Sequence, residues 1–206
     1  MIKEVKNFKR KELFDHYHAC DNPFLIISTK IDVTNVVNYC KKYKHFYPTL
    51  GFLVTKTANQ LDAFKYRYKN SKFYYCEEIK SNYTQMFDDE NIGFFSIPAI
   101  NDFDEYIKQF LKTQEQFLKE KRSLNEDNLN DIWISCAPWF SFTNLVPPFN
   151  KEVTIPQFIW DKYESVNERY YVNLMIMVHH GFADGFHISK FINLLNKNID
   201  SFKITD

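Results

Sequence analysis

Glycine is scarce in this chain, four residues in 206, and neither charge sign is in excess, with 26 basic residues against 26 acidic. A balanced charge argues against a nucleic-acid binder held by a basic face. The four cysteines, Cys20, Cys40, Cys76 and Cys136, stand singly. No pair has the spacing of a metal finger or a redox motif. A chain this long buries roughly 70% of its unfolded surface and needs no disulfide staples, so the thiols read as the reduced cysteines of a cytoplasmic protein. No stretch approaches the roughly 18 apolar residues of a membrane span. The first residues, Met1-Ile2-Lys3-Glu4-Val5-Lys6, lack the apolar region of a signal peptide. Internal repeats and low-complexity linkers are absent too, and the expectation is one domain over 1–206.

Aromatic residues are abundant: 21 Phe, 13 Tyr and 3 Trp. Such a load suits a thick core together with an aromatic-lined pocket or subunit contact. Periodicity predicts helices over 10–17, 34–43, 46–61 and 102–118, the last with Phe103, Tyr106, Ile107, Phe110, Leu111, Phe117 and Leu118 as its apolar stripe and Asn101 or Asp102 as its cap. Strands are predicted over 24–32, 65–68, 73–76, 82–87, 92–97, 132–135, 140–142, 158–163 and 170–178. Residues 120–130 read as a charged, solvated helix end and loop. Residues 144–154 read as a loop, because Pro147-Pro148 cannot continue a ladder. Helices and strands interleave without strict βαβ alternation. The expected fold is therefore α/β: two layers, a mixed β-sheet with helices packed on one face.

Two of the four glycines lie in one short stretch. The apolar run Val172-Asn173-Leu174-Met175-Ile176-Met177-Val178 leads into His179-His180-Gly181-Phe182-Ala183-Asp184-Gly185-Phe186-His187. Ile188, Phe191, Ile192, Leu195 and Ile199 then keep the spacing of one buried helical face. The histidines thus fall where a buried strand hands over to a helix. An imidazole there can be held rigidly and still reach a cleft, and about three-quarters of it is neutral at pH 7, ready to accept a proton. Strand alternation lets one histidine face the cleft while the other points inward. His179 alone reads as a hydrogen-bonded core histidine, and Asp184 is a natural N-cap. A metal held by His180, Asp184 and His187 is possible by residue type, but two glycines suit a bent turn better than the regular helix of an H-E-x-x-H site. No metal is expected.

The stretch His-His-Gly-Phe-Ala-Asp-Gly-Phe-His, followed by Lys190-Phe191-Ile192-Asn193, resembles the signature of the type A chloramphenicol acetyltransferases, within the acyl-CoA-dependent acyltransferase superfamily. Ser135-Cys136-Ala137-Pro138-Trp139-Phe140-Ser141-Phe142 is similar to a second block of that family. So are Phe8-x-Arg10-Lys11-Glu12-x-Phe14, Phe46-Tyr47-Pro48 and Lys162-Tyr163, in family order over residues 8–199. The resemblance implies that His180 is the general base on an acceptor hydroxyl, which attacks the thioester of acetyl-CoA directly. Ser135 would hydrogen-bond the oxyanion. Asp184 would pair with Arg10 to hold the turn, with His179 as packed support. Tyr17, Leu145 and Phe95 would border the acceptor pocket, Tyr17 close to the imidazole. Lys162 and Tyr163 would lie along the coenzyme channel. The family is a homotrimer with active sites at its subunit interfaces, so a trimer is implied here.

The sequence departs from that pattern in places. Ala183 stands where the family usually has cysteine, a neutral trade by size. Ile159 stands where a threonine is common near the reaction centre. Leu145, Pro147 and Pro148 replace the usual loop residues facing the antibiotic, and Asp21-Asn22-Pro23 a more apolar stretch. The first reading is O-acetylation of chloramphenicol. The alternatives are the same chemistry on another small hydroxyl or amine compound, and a non-catalytic oligomeric ligand-binding protein of the same fold.

Overall fold

The structure is a computed structural model and describes residues 1–43, 45–124 and 128–202. In chain order the elements are β1 (Ile2–Glu4), α1 (Lys11–His18), β2 (Phe24–Asp32), α2 (Thr34–Tyr43), α3 (Phe46–Asn59), a 3-10 turn (Asp62–Phe64), β3 (Tyr66–Lys69) and β4 (Lys72–Cys76). There follow β5 (Lys80–Met86), β6 (Ile92–Ile97), α4 (Phe103–Glu120), β7 (Asp131–Ala137), β8 (Gln157–Asp161), β9 (Glu164–Val166), β10 (Arg169–His179) and α5 (Gly185–Asp200). Of the polar stretch expected over 120–130, residues 125–127 lie outside the described residues.

A seven-stranded sheet runs in the order β2-β10-β8-β7-β5-β6, with β9 paired to β10. The β5–β7 and β7–β8 pairs are parallel and the others antiparallel, so the sheet is mixed. Strand alternation sorts its side chains. Val172, Leu174, Ile176 and Val178 of β10, Phe158 and Trp160 of β8, and Ile132 and Ile134 of β7 join the main core with residues of α2–α5. Met175 and Met177 point the other way, packed with Phe24 and Phe142 and against Leu145 and Ile159. The fold is the expected two-layer α/β arrangement. A smaller sheet, β1-β4-β3, stands apart with α1, joined through Phe8, Phe14, Phe73 and Phe182.

Alternation also corrects one assignment. Phe95 is fully buried among Tyr83, Phe110 and Phe117 on the helix side of the sheet, not beside an acceptor pocket. Its neighbour Phe94 takes the opposite face. With a period of two, a shift of one residue moves a side chain through the sheet.

One other departure has a local cause. Residues 140–142 form no strand: the chain leaves the ladder after Ala137, and the Phe142 N–H donates to the Asp161 carboxylate at 3.1 Å. Asp161, almost fully buried, also accepts from the backbone N–H and the side-chain amide of Asn173, both at 2.7 Å. This carboxylate therefore ties the loop after β7 to the open face of the sheet. At Thr34, the N–H and hydroxyl both donate to Asp32, so the acceptor at the start of α2 is the aspartate. Asp102 does cap α4, accepting from the Glu105 N–H at 2.9 Å.

Candidate active site

The corner between β10 and α5 is braced from three sides. The His180 N–H donates to the Pro23 carbonyl at 2.8 Å, holding the turn to the chain before β2. Gly181 presses against α1 so closely that a Cβ there would lie 2.5 Å from the Phe14 Cα. Arg10, just before α1, donates through Nε to the Gly181 carbonyl at 3.2 Å and through a terminal nitrogen to Asp184 at 3.1 Å. The other Asp184 oxygen accepts from the Phe186 and His187 N–H groups and lies 2.8 Å from His187 Nδ1, closing a capping box. Burial works to raise the Asp184 carboxyl, but the hydrogen bonds from His187 and Arg10 outweigh it and hold the group down at about 2.

The two histidines meet different surroundings. His179 is buried with its ring stacked on Phe14 at 4.4 Å, and its Nδ1 accepts from the Gly181 N–H at 3.1 Å. Burial, reinforced by His18 and His180, pushes its pKa down to about 3. It is a neutral packing residue. His180 is only half-buried, and the Tyr17 ring stacks on it at 3.9 Å. Burial lowers its pKa, the Asp184 carboxylate pulls upward, and Arg10 pushes down again. The net shift keeps this imidazole neutral near pH 7, the form that accepts a proton. Asp184 and His187 bond each other, and among the described residues no group of three or more His, Cys, Asp or Glu side chains could hold a metal ion.

Ser135 lies elsewhere. It sits on β7 facing away from the helices, in the wall of a cavity of about 340 Å³ with Asn82, Thr84, Ile92, Phe94, Trp133 and Ile159. A larger cavity of about 590 Å³, between His18, Tyr68, Trp133 and Glu152, contains neither Ser135 nor His180. Register fixes the distance between the serine and the histidines. Ser135 pairs with Ile159 and Ile159 with Met175, four residues before His179. Four residues of rise and two strand spacings separate the Ser135 and His179 backbones by roughly 16 Å. At that separation the imidazole and the hydroxyl of one chain stand too far apart to meet without a movement of the backbone.

A sequence model of the family "Chloramphenicol acetyltransferase" matches residues 2–196. The chain belongs to the chloramphenicol acetyltransferase family. It is 32% identical over 209 residues to a chloramphenicol acetyltransferase of Staphylococcus aureus, covering 96% of this chain and 94% of the relative. To chloramphenicol acetyltransferase 3 of Escherichia coli it is 28% identical, with 96% of each chain covered. A solved chloramphenicol acetyltransferase superposes with a TM-score of 0.83 at 20% identity, over 97% of this chain and all of the other. The catalytic core of a 2-oxoacid dehydrogenase complex from Thermoplasma acidophilum shares the fold at a TM-score of 0.71 and 16% identity, over 97% of this chain and 99% of that one. Membership makes this protein an acyltransferase.

Set in this acetyltransferase-family fold, the residues singled out from sequence fall into three groups. Arg10, Tyr17, His179, His180 and Asp184 gather at one corner. Ser135 lies in the channel on the open sheet face, and Leu145, like the channel residue Ile159, packs against the cluster of Phe24, Phe142, Met175 and Met177. Lys162 and Tyr163 follow β8, both exposed, with the Tyr163 ring against Phe46 and Tyr170. Sequence reasoning missed Gln157, Asn82 and Trp133 in the channel wall. A polar residue opening an otherwise apolar buried strand was the available signal for Gln157.

Proposed function

We propose that this acyltransferase uses acetyl-CoA to acetylate a hydroxyl of chloramphenicol, as a single acyltransferase domain over 1–206 that assembles as a cytoplasmic homotrimer. The observation that carries the reading is the braced, neutral imidazole of His180 at the strand end. His180 takes the proton from the acceptor hydroxyl. The freed oxygen attacks the thioester carbonyl, and the Ser135 hydroxyl donates to the oxyanion of the tetrahedral intermediate. Collapse expels the coenzyme thiolate, which receives the proton back from His180, leaving no acyl-enzyme. Asp184 and Arg10 hold the turn, and His179 backs it without titrating. Tyr17 and Leu145 border the acceptor, and Lys162 with Tyr163 lies along the path of the coenzyme. The separation of Ser135 from His180 along one sheet supports active sites shared between copies, His180 of one meeting Ser135 of the next.

The test is steady-state acetyl transfer from acetyl-CoA to chloramphenicol. Wild type turns over, and His180→Ala loses about 10²–10⁴ in kcat while still binding coenzyme. Thioester cleavage that survives His180→Ala unchanged would remove the base assignment. Intact coenzyme binding with no acetylation of chloramphenicol would instead shift the acceptor to another small hydroxyl or amine compound. The apolar Ile159 beside Ser135 gives that second reading its one specific support.

A further inference from the structure

The channel on the open sheet face is apolar along much of its wall, with Ile92, Phe94, Pro147, Pro148 and Ile159. Into this wall are set groups the acetyl-transfer chemistry does not use. Asn82, Trp133, Gln157 and Met177 form one row across four strands, since Asn82 pairs with Trp133, Trp133 with Gln157, and Gln157 with Met177. The next row carries Ser135 and Ile159. Gln157 is 7% exposed and Asn82 is 3% exposed. Asn82 spends its Nδ2 on the Asp131 carboxylate at 3.2 Å, whereas the Gln157 carboxamide has no protein hydrogen bond among the described residues.

The Gln157 amide tip is open to the channel, and a ligand that covers it without pairing with it costs about 1–3 kcal/mol. A site built around such a group rejects a ligand that cannot pair with it far more strongly than a hydrophobic wall rejects one methylene too many. Gln157 lies one strand over and two residues back from Ser135 on the same face, which separates their backbones by roughly 8 Å. That span fits a small molecule with its reacting hydroxyl near Ser135 and a second polar group beyond it.

We propose that Gln157 is the specificity-determining residue of the acceptor channel, pairing its carboxamide with a carbonyl, amide or nitro group of an acceptor whose reacting hydroxyl lies near Ser135. The inference rests on the acetyl-transfer reading of the site and adds a selection rule to it. Preferred acceptors carry a hydrogen-bonding group about one small-molecule length from the reacting hydroxyl. Alcohols of equal size and purely hydrocarbon body bind with the amide unpaired.

The experiment compares kcat/KM for chloramphenicol, which carries an amide and a nitro group, with that for 2-phenylethanol, in wild type, Gln157→Leu and Gln157→Glu. The wild-type preference for the polar acceptor falls about tenfold in Gln157→Leu, through acceptor KM, with the KM for acetyl-CoA unchanged. Gln157→Glu keeps the size but removes the N–H donors, and shifts the preference again while melting as wild type does. A preference that stays within twofold in both variants, with normal melting, overturns the role of Gln157 and leaves the acetyltransferase reading standing. Wild type that acetylates neither alcohol overturns the choice of chloramphenicol as acceptor, and the selection rule with it.

Discussion

Two adjacent histidines with the same covalent chemistry have opposite fates because one is packed and the other is half-open. His179 keeps its pKa near 3 in the fold, against 6.5 for an ordinary histidine, chiefly through burial against Phe14 with His18 and His180 near by. The sign follows from linkage. Below pH 6.5 the unfolded chain takes up a proton at this position that the folded chain refuses, so stability is full above 6.5 and falls as the pH drops toward 3. The slope for one such group is about 1.4 kcal/mol per pH unit. His179→Gln, which cannot titrate, should flatten the melting temperature across this window relative to wild type. Equal pH dependence in the two proteins would show that His179 is not the group responsible. His180, also lowered but half-open, is the proposed base, so the acid limb of kcat/KM should lie below pH 6.5.

At the scale of elements, the turn between β10 and α5 works only because two elements are locked to it. Asp184→Asn retains an N-cap acceptor, since Asn caps as well as Asp, but loses the ion pair with Arg10. That pair is partly exposed, so stability should fall by no more than about 1 kcal/mol. The expected loss is larger in kcat, because Arg10 ceases to fix the turn that carries His180, and Arg10→Met should reproduce it. Unchanged rates and melting in Asp184→Asn would remove the brace. Gly181→Ala tests the other contact. A methyl group 2.5 Å from the Phe14 Cα must push α1 away from the corner, at a cost of about 1–3 kcal/mol and with loss of the Tyr17 stack on His180. Melting and rate both equal to wild type would refute the close approach. The sequence announced this corner plainly, because a buried strand, a capping aspartate and an amphipathic helix are local patterns. It announced α4 for the same reason. β1 and β9 escaped it, since all their side chains are exposed and only pairing with β4 and β10 defines them. Phe95 was placed on the wrong face because an alternating strand of aromatic and aliphatic residues gives no sign of which parity meets the helices.

Across the whole molecule, the decisive quantity was invisible in sequence altogether. The offset between Ser135 and the histidine corner comes from two pairings, β7 with β8 and β8 with β10, between strands far apart along the chain. The same pairings leave one face of the sheet without helices among the described residues, where Phe94 and Ile92 remain exposed. If a working site joins His180 of one copy to Ser135 of the next, two inactive variants can restore each other. Subunits with His180→Ala and subunits with Ser135→Ala, co-expressed in equal amounts, assemble at random in a closed ring. A site is whole when a Ser135→Ala subunit supplies the histidine and a His180→Ala subunit supplies the serine. That arrangement occurs at about one site in four. Activity near a quarter of wild type should therefore appear in the mixture, far above either variant alone. It should be lost again when both substitutions are placed in one chain and wild type is left out. A mixture no more active than the average of its two parents would mean that each copy builds its own site. The roughly 16 Å between strand positions would then have to be closed by a movement within the chain.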